Sequence, residues 1–287
     1  MEVHHLGIGA MRPYGGALFD GRTPGLGPAD LVCHCLLLET SVGLVLVDTG
    51  LVAQDAQRSA ERISPFFRVA DRVRLRPEES AVSQIRALGR DPGEVRHVIM
   101  THLDFDHVGG LPDFAHAAIH LSAAEAQAAR RPTTPKERAR YRTVNEMDQA
   151  NWTLYDPFPA EFFGLPATYL EGIPGLMLVA LPGHTKGHCG VAIDLGRGEW
   201  LFHAGDALLN GHELDPERPK TPTAARLYQW FMESSQRQRR ASLAALRRIR
   251  RDYGDHVTIV CTHDPAMLAR SRTEHTTVRQ WSPGTGG

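Results

Sequence analysis

The chain has 287 residues, enough for one large domain or two small ones. Its 42% hydrophobic and 23% charged residues make an ordinary globular mix, and a net charge of −1 offers no basic field for nucleic acid. No apolar run reaches the roughly 18 residues of a membrane helix, and Met1-Glu2-Val3-His4-His5 lacks the basic-then-apolar start of a secretory signal. The expected setting is therefore cytoplasmic and the expected partner a small molecule, with a homodimer left open. Cys33, Cys35, Cys189 and Cys261 form no paired motif and read as reduced thiols, the first two alternating in a strand toward one core.

In chain order, residues 31–38 and 42–47 read as a hairpin of buried strands that ends at Asp48-Thr49-Gly50. Val82, Ile85 and Leu88 predict a helix over 78–90 with Gly89 near its stop. Val95–Met100 is a strand, and 115–121 another. From Ser122 to about Tyr141 the chain is Ala-rich, charged and helical. Residues 145–170 mix Trp152, Tyr155, Phe158, Phe162, Phe163 and Tyr169 with Pro157, Pro159 and Pro166, which predicts an irregular insertion or lid, placed at about 122–175 of a single domain spanning 1–287. Strands follow at Leu176–Leu181, Val191–Asp194, Trp200–His203 and Val257–Cys261. An arginine-rich helix or helix pair lies over 223–253, and the tail from Ser282 is expected to fray.

The densest chemistry lies at Thr101-His102-Leu103-Asp104-Phe105-Asp106-His107-Val108-Gly109-Gly110. Carboxylates crowded together repel and are costly to desolvate, so two imidazoles and two carboxylates in one turn imply a cation, more than one ion, and catalysis. This run follows a strand, as do His184, Asp206 and His263. Four strand ends carrying ligands would converge if the strands lay side by side. Strands alternating with helices at the outer faces suggest an α/β/β/α sandwich.

These residues match a family. Val47-Asp48-Thr49-Gly50, His102-x-Asp104-x-Asp106-His107, Gly183-His184-Thr185-x-Gly187-His188, Gly205-Asp206 and Thr262-His263-Asp264 come in the order of the metallo-β-lactamase superfamily, which the chain resembles over residues 47 to 264. The resemblance implies an αββα four-layer sandwich with two divalent metal ions at one edge. It assigns His102, Asp104 and His184 to the first ion, Asp106, His107 and His263 to the second, and Asp206 as the bridge. A hydroxide between the ions would attack a carbonyl. The landmarks are similar to those of quorum-quenching lactonases and glyoxalase II, implying a lactone or carboxylic ester first and a thioester second.

Two positions depart from the pattern. Asp104 stands where the zinc hydrolases of the family carry histidine; flavodiiron proteins carry a carboxylate there, but their flavin domain has no room in this chain. Leu209 stands where lactonases of this type often place a tyrosine that assists the substrate carbonyl. Zinc is the first metal expected, with iron or manganese admitted by the hard oxygen of Asp104. A diiron redox enzyme and a phosphodiesterase are the rival functions. The added negative charge of Asp104 predicts a more basic nucleophile and activity at higher pH than in an all-histidine relative.

Asp106 is the candidate to relay a proton, and Asp48, Thr101 and Thr185 are candidates to orient ligands. Arg12 and Tyr14, in a loop expected to overhang the site, and Trp152 and Phe162, in the aromatic stretch, are candidate substrate contacts. His188, His203, His4, His5, His34, His97, His116 and His120 read as structural, Cys189 and Cys261 as core thiols, and the arginines of 237–251 as a solvated helix face.

Overall fold

A computed structural model describes residues 1–51, 63–74, 76–142, 144 and 151–278, with side chains up to Thr273. The expected fraying from Ser282 lies outside the described residues.

Two six-stranded sheets form the centre. The first runs β1 (Glu2–Met11), β2 (Leu31–Thr40), β3 (Gly43–Val47), β4 (Val95–Ile99), β5 (Ala118–Ser122), β6 (Trp152–Tyr155) in spatial order. The second is β12 (Val257–Val260), β11 (Glu199–His203), β10 (Cys189–Gly196), β9 (Leu176–Ala180), β8 (Leu165–Tyr169), β7 (Ala160–Phe162). Strands β3 to β6 are parallel, as are β11 and β12; the other pairs are antiparallel.

The period of two along each strand builds the layers. Leu36, Leu38, Val45, Val47 and Ile99 point from the first sheet toward Leu176, Leu178, Val191, Ile193 and Leu201 of the second. Their neighbours Cys35, Leu37, Leu44, Leu46 and Val98 face outward under Ala81, Ile85, Phe114 and Ala126. On the far side Met177, Val179, Ala192 and Phe202 face Leu243, Leu246 and Ile249 of the helix Gln236–Tyr253. Helix, sheet, sheet, helix is the expected αββα sandwich.

Several of the helices start at serine or threonine caps. Ser80 caps Ala81–Ala87, Ser122 caps Ala123–Arg130, Thr134 caps Pro135–Arg140 and Ser235 caps Gln236–Tyr253. The predicted helix over 78–90 is a 3-10 turn, Pro77–Glu79, followed by Ala81–Ala87, and Leu88 is 40% exposed instead of joining Val82 and Ile85 at the core. The 223–253 segment is a pair, Thr223–Met232 and Gln236–Tyr253. Its arginines are not all solvated: Arg239 Nε lies 2.5 Å from Glu233 Oε2, Arg247 donates to the Glu213 carbonyl and Arg248 to the Phe163 carbonyl.

The predicted insertion needs correction. Residues 152–169 carry β6, β7 and β8, which complete both sheets. Pro157 and Pro159 lie in the connection between the sheets, and Pro166 pairs only toward the edge strand β7, where a missing N–H is tolerated. Strand β1 also escaped the sequence reading, because His4, His5, Gly7 and Gly9 interrupt its apolar alternation.

Leu246, fully buried between the second sheet and its helix, measures how tightly the outer layer is packed. Leu246→Ala is expected to cost about 2–5 kcal/mol, read as a lower urea midpoint with an unchanged slope.

Candidate metal centre

The carboxyl ends of β4, β9, β11 and β12 point to one edge of the sandwich. Backbone bonds lock the two sheets together there: Cys189 N donates to Thr101 O at 2.9 Å and His34 N to Thr262 O at 2.9 Å. The ligand run follows β4, with Phe105–Val108 forming one helical turn. His184 follows β9, Asp206 follows β11, and His263 follows β12.

His102, Asp104, Asp106, His107, His184, Asp206 and His263 are all at most 5% exposed, and their polar atoms converge. On one side, His184 Nε2 lies 3.0 Å and His102 Nε2 3.5 Å from Asp104 Oδ2. On the other, Asp106 Oδ2 lies 3.5 Å from His263 Nε2 and 3.6 Å from His107 Nε2. Asp206 touches both sides: its Oδ2 is 3.6 Å from His184 Nε2 and 3.0 Å from His263 Nε2, and its Oδ1 is 3.3 Å from His107 Nε2.

The outer contacts fix the tautomers. Asp48 can only accept, so His107 donates from Nδ1 to Asp48 Oδ2 at 2.7 Å. Asp48 also receives Thr101 N at 2.8 Å and the Thr101 hydroxyl at 2.7 Å, which leaves that oxygen to accept from His102 Nδ1 at 3.0 Å. His263 Nδ1 donates to the Val32 carbonyl at 3.0 Å. Each of these rings therefore turns its Nε2 inward, toward the carboxylates. His102 Nε2, His107 Nε2 and Asp206 Oδ1 are buried with no hydrogen-bond partner among the described residues. Orphaned acceptors converging at ligand spacing are what a cation would satisfy, so the donor set fits a divalent metal.

The charges are balanced within the cluster. Burial opposes ionisation of Asp206, yet His263 and His107 hold it well below the usual carboxylate range. Burial would push His107 and His263 down, but Asp206 and the other carboxylates raise both, His263 to about 9. Burial lowers His184 to about 4. Asp106 is raised, first by burial and then by Asp206 and Asp104.

Several participants escaped the sequence reading. Arg140 is 2% exposed, and its Nε sits 3.0 Å from Asp104 Oδ1. Against the cost of burial, Arg140 and then His102 hold Asp104 well below the usual carboxylate range. This offsets the added charge, so the expectation of activity at higher pH loses its basis. Glu125 accepts Leu103 N at 3.2 Å and Gly187 N at 3.0 Å, tying two ligand loops together. Asp71 is a buried carboxyl pushed up to about 8 by burial and then by Asp106. Cys33 Sγ lies within 4.8 Å of ligand atoms of Asp106 and His263, while burial keeps the thiol neutral. An arginine, a glutamate or a tyrosine outside any motif carries no spacing signal.

His188 is structural, as expected. Its Nδ1 donates to the Leu181 carbonyl, and its Nε2 accepts the backbone N–H of Asp206 at 2.9 Å. Gly205 has φ +54°, and a Cβ there would lie 2.5 Å from His188 Nε2, so only glycine fits. Thr185 is buried, but its hydroxyl bonds no ligand among the described residues; Thr101 has the orienting contacts.

The substrate candidates separate. Phe162 is 3% exposed and packs on Phe163, Trp200 and Phe202 under the second sheet's outer layer, which removes it from the site. Trp152 packs against the first sheet's outer core. Both readings fail because a strand's alternation, hidden among prolines, sends these rings outward. Tyr14 is 63% exposed beneath the Arg72 guanidinium, and Arg12 N donates to Asp71 O at 2.8 Å. A buried apolar cluster adjoins the candidate ligands instead: Phe67, Phe105, Leu209 and Met232 pack together, with Tyr228 against it.

The sequence matches the model of the metallo-β-lactamase superfamily over residues 28–263. It is 36% identical over 274 residues to a protein of Mycobacterium tuberculosis named "Probable metallo-hydrolase", covering 95% of this chain and 83% of that one. An N-acyl homoserine lactonase of Bacillus cereus is 26% identical over 190 residues, covering 66% of this chain and 69% of its own. The fold is similar to an N-acyl homoserine lactone hydrolase solved with N-hexanoyl-L-homoserine at its catalytic metal centre, with TM-score 0.68, 21% identity, and 94% and 95% of the two chains covered. A dizinc quorum-quenching lactonase aligns with TM-score 0.62 at 15% identity over 92% of this chain and 87% of that one. The chain belongs to the metallo-β-lactamase superfamily and is a metal-dependent hydrolase.

Proposed function

We propose that the protein is a two-cation hydrolase of carboxylic esters whose first substrate class is a lactone with an apolar tail. The observation that carries this reading is the position of Asp206, whose two oxygens meet histidines of both donor groups. Lactonases among its relatives and its structural neighbours support the substrate class. His102, Asp104 and His184 would hold one ion and Asp106, His107 and His263 the other. Zinc is the first expectation, with iron and manganese as alternatives for a site that includes the hard oxygen of Asp104.

Two cations there would activate water near neutral pH and polarise the scissile carbonyl. The rest is done by the chain. Asp48 and Thr101 keep His107 and His102 in the ligating tautomer. Asp106 offers a carboxylate that can pass a proton toward the leaving oxygen. Leu209 brings no hydroxyl, but it shares an apolar cluster with Tyr228, whose phenol meets Asp71 beside the ligand carboxylates. Tyr228 is thus the candidate donor to the substrate carbonyl. The exposed rings of Phe66 and Phe231, 5.1 Å apart on neighbouring helices, form a rim that suits an acyl chain. Buried free thiols suit a cytoplasmic enzyme acting on a small molecule.

The test is acid release by chelator-stripped protein reloaded separately with zinc, manganese and iron, offered a long-chain homoserine lactone and an acyl thioester. Metal-restored hydrolysis of the lactone is expected; turnover of the thioester alone would move the assignment to thioesters, and turnover of neither would defeat it. Asp206→Ala is expected to lower kcat/KM by more than about 100-fold, beyond the range typical of residues that only orient ligands. Tyr228→Phe should lower kcat by roughly 100-fold with KM little changed, the size seen when one carbonyl donor is removed. An unchanged kcat would exclude Tyr228 from that role.

A further inference from the structure

Arg140 lies on the helix Pro135–Arg140, far in sequence from every ligand motif, yet it ends in the middle of the first donor group. A guanidinium buried this deeply needs an opposite charge and hydrogen-bond acceptors close by. Its Nη1 donates to the His184 carbonyl and its Nη2 to the Met232 carbonyl, each at 2.8 Å, and its Nε forms an ion pair with Asp104 Oδ1 at 3.0 Å outside hydrogen-bond geometry. Two of these three partners belong to residues of the first donor group. The carboxylate of Asp104 is divided oxygen by oxygen: Oδ1 faces the arginine, and Oδ2 faces His184 Nε2 and His102 Nε2.

Three neutral histidines would carry no charge in this group. Replacing one by aspartate adds a negative charge, and Arg140 removes it again. The planar fork also restrains direction, because it is pinned at both ends by backbone carbonyls. A lysine would supply the charge without that restraint.

We propose that Arg140 is a positioning residue of the first donor group: it restricts Asp104 to ligation through one oxygen and cancels its charge, so that the Asp104–Arg140 pair takes the place of one neutral histidine. This rests on the two-cation reading above and adds to it a residue that sets how the first ion is held.

The experiment is a cobalt(II) titration of the chelator-stripped full chain, followed by visible absorption and by metal content after desalting. The wild type is expected to take up two equivalents. Arg140→Met is expected to bind its first-group ion at least about tenfold more weakly and to keep about one equivalent after desalting, a loss of the size known for residues that orient ligands. Asp104→His alone leaves an unpaired guanidinium at the site and is also expected to retain one equivalent. The double variant Asp104→His/Arg140→Met restores a neutral pair and is expected to retain two. It decides the matter even if Arg140→Met fails to fold, which circular dichroism would reveal. Two equivalents with an unchanged spectrum in Arg140→Met, or a double variant no better than Asp104→His, would overturn the proposal. A wild type that takes up fewer than two equivalents would overturn the two-cation reading and this proposal with it.

Discussion

Four carboxylates, those of Asp48, Asp104, Asp106 and Asp206, are buried within one cluster of imidazoles, and the rest of the site follows from making that tolerable. Each burial would be costly alone. Asp48 is answered by His107 and Thr101, Asp104 by Arg140, and Asp206 by His263 and His107. Asp106 has the least compensation and is the one pushed toward protonation. That uneven balance distinguishes Asp206, held toward its charged form, from Asp106, pushed toward its neutral form, although both belong to the same small cluster.

Precision at the site is inherited from the sheets. Strands β4, β9, β11 and β12 all end at one edge, and the bonds from Cys189 to Thr101 and from His34 to Thr262 hold the two ends in register. The loops beyond are then tied to one another and not left to the sheets alone. Glu125 spans the loops of Leu103 and Gly187 with its two oxygens, and His188 grips the backbone of Asp206 through the space that Gly205 leaves open. Asp48 itself has φ 54°, an uncommon backbone for a non-glycine residue, held by its bonds to Thr101 and His107. A displacement of any of these loops would disturb ligands from both sheets at once.

What could be read in the sequence divides along the same physics. The convergence of the candidate ligands was legible because metal chemistry restricts residue type and because short loops after strands compress such residues into local motifs. The layers were legible because β2, β3, β9 and β10 are short, nearly continuous apolar runs, as strands buried on both faces require. Strands β6 to β8 were not, since prolines in the crossover and at the sheet edge mimic an irregular segment. Arg140, Glu125, Asp71 and Tyr228 were invisible for another reason: each reaches the site across the fold from a helix with no motif, and only the packing of that helix determines where its side chain ends. The misreading of Asp104 as an uncompensated charge came from that gap, since its counterion lies 36 residues further along the chain.

The apolar cluster carries the same lesson into substrate choice. Phe105 lies between two ligand residues and Leu209 three positions after Asp206, so the metal motifs themselves place apolar side chains at the reacting edge. Phe67 and Met232 close the cluster from two further helices, and Phe105 and Phe67 rings lie 5.6 Å apart. Such surroundings lower the local dielectric and strengthen every charge interaction at the ligands. They also disfavour substrates that would bring a second bare charge to the site. An uncharged ester whose polar end meets the ligands and whose tail follows Phe66 and Phe231 outward satisfies both constraints.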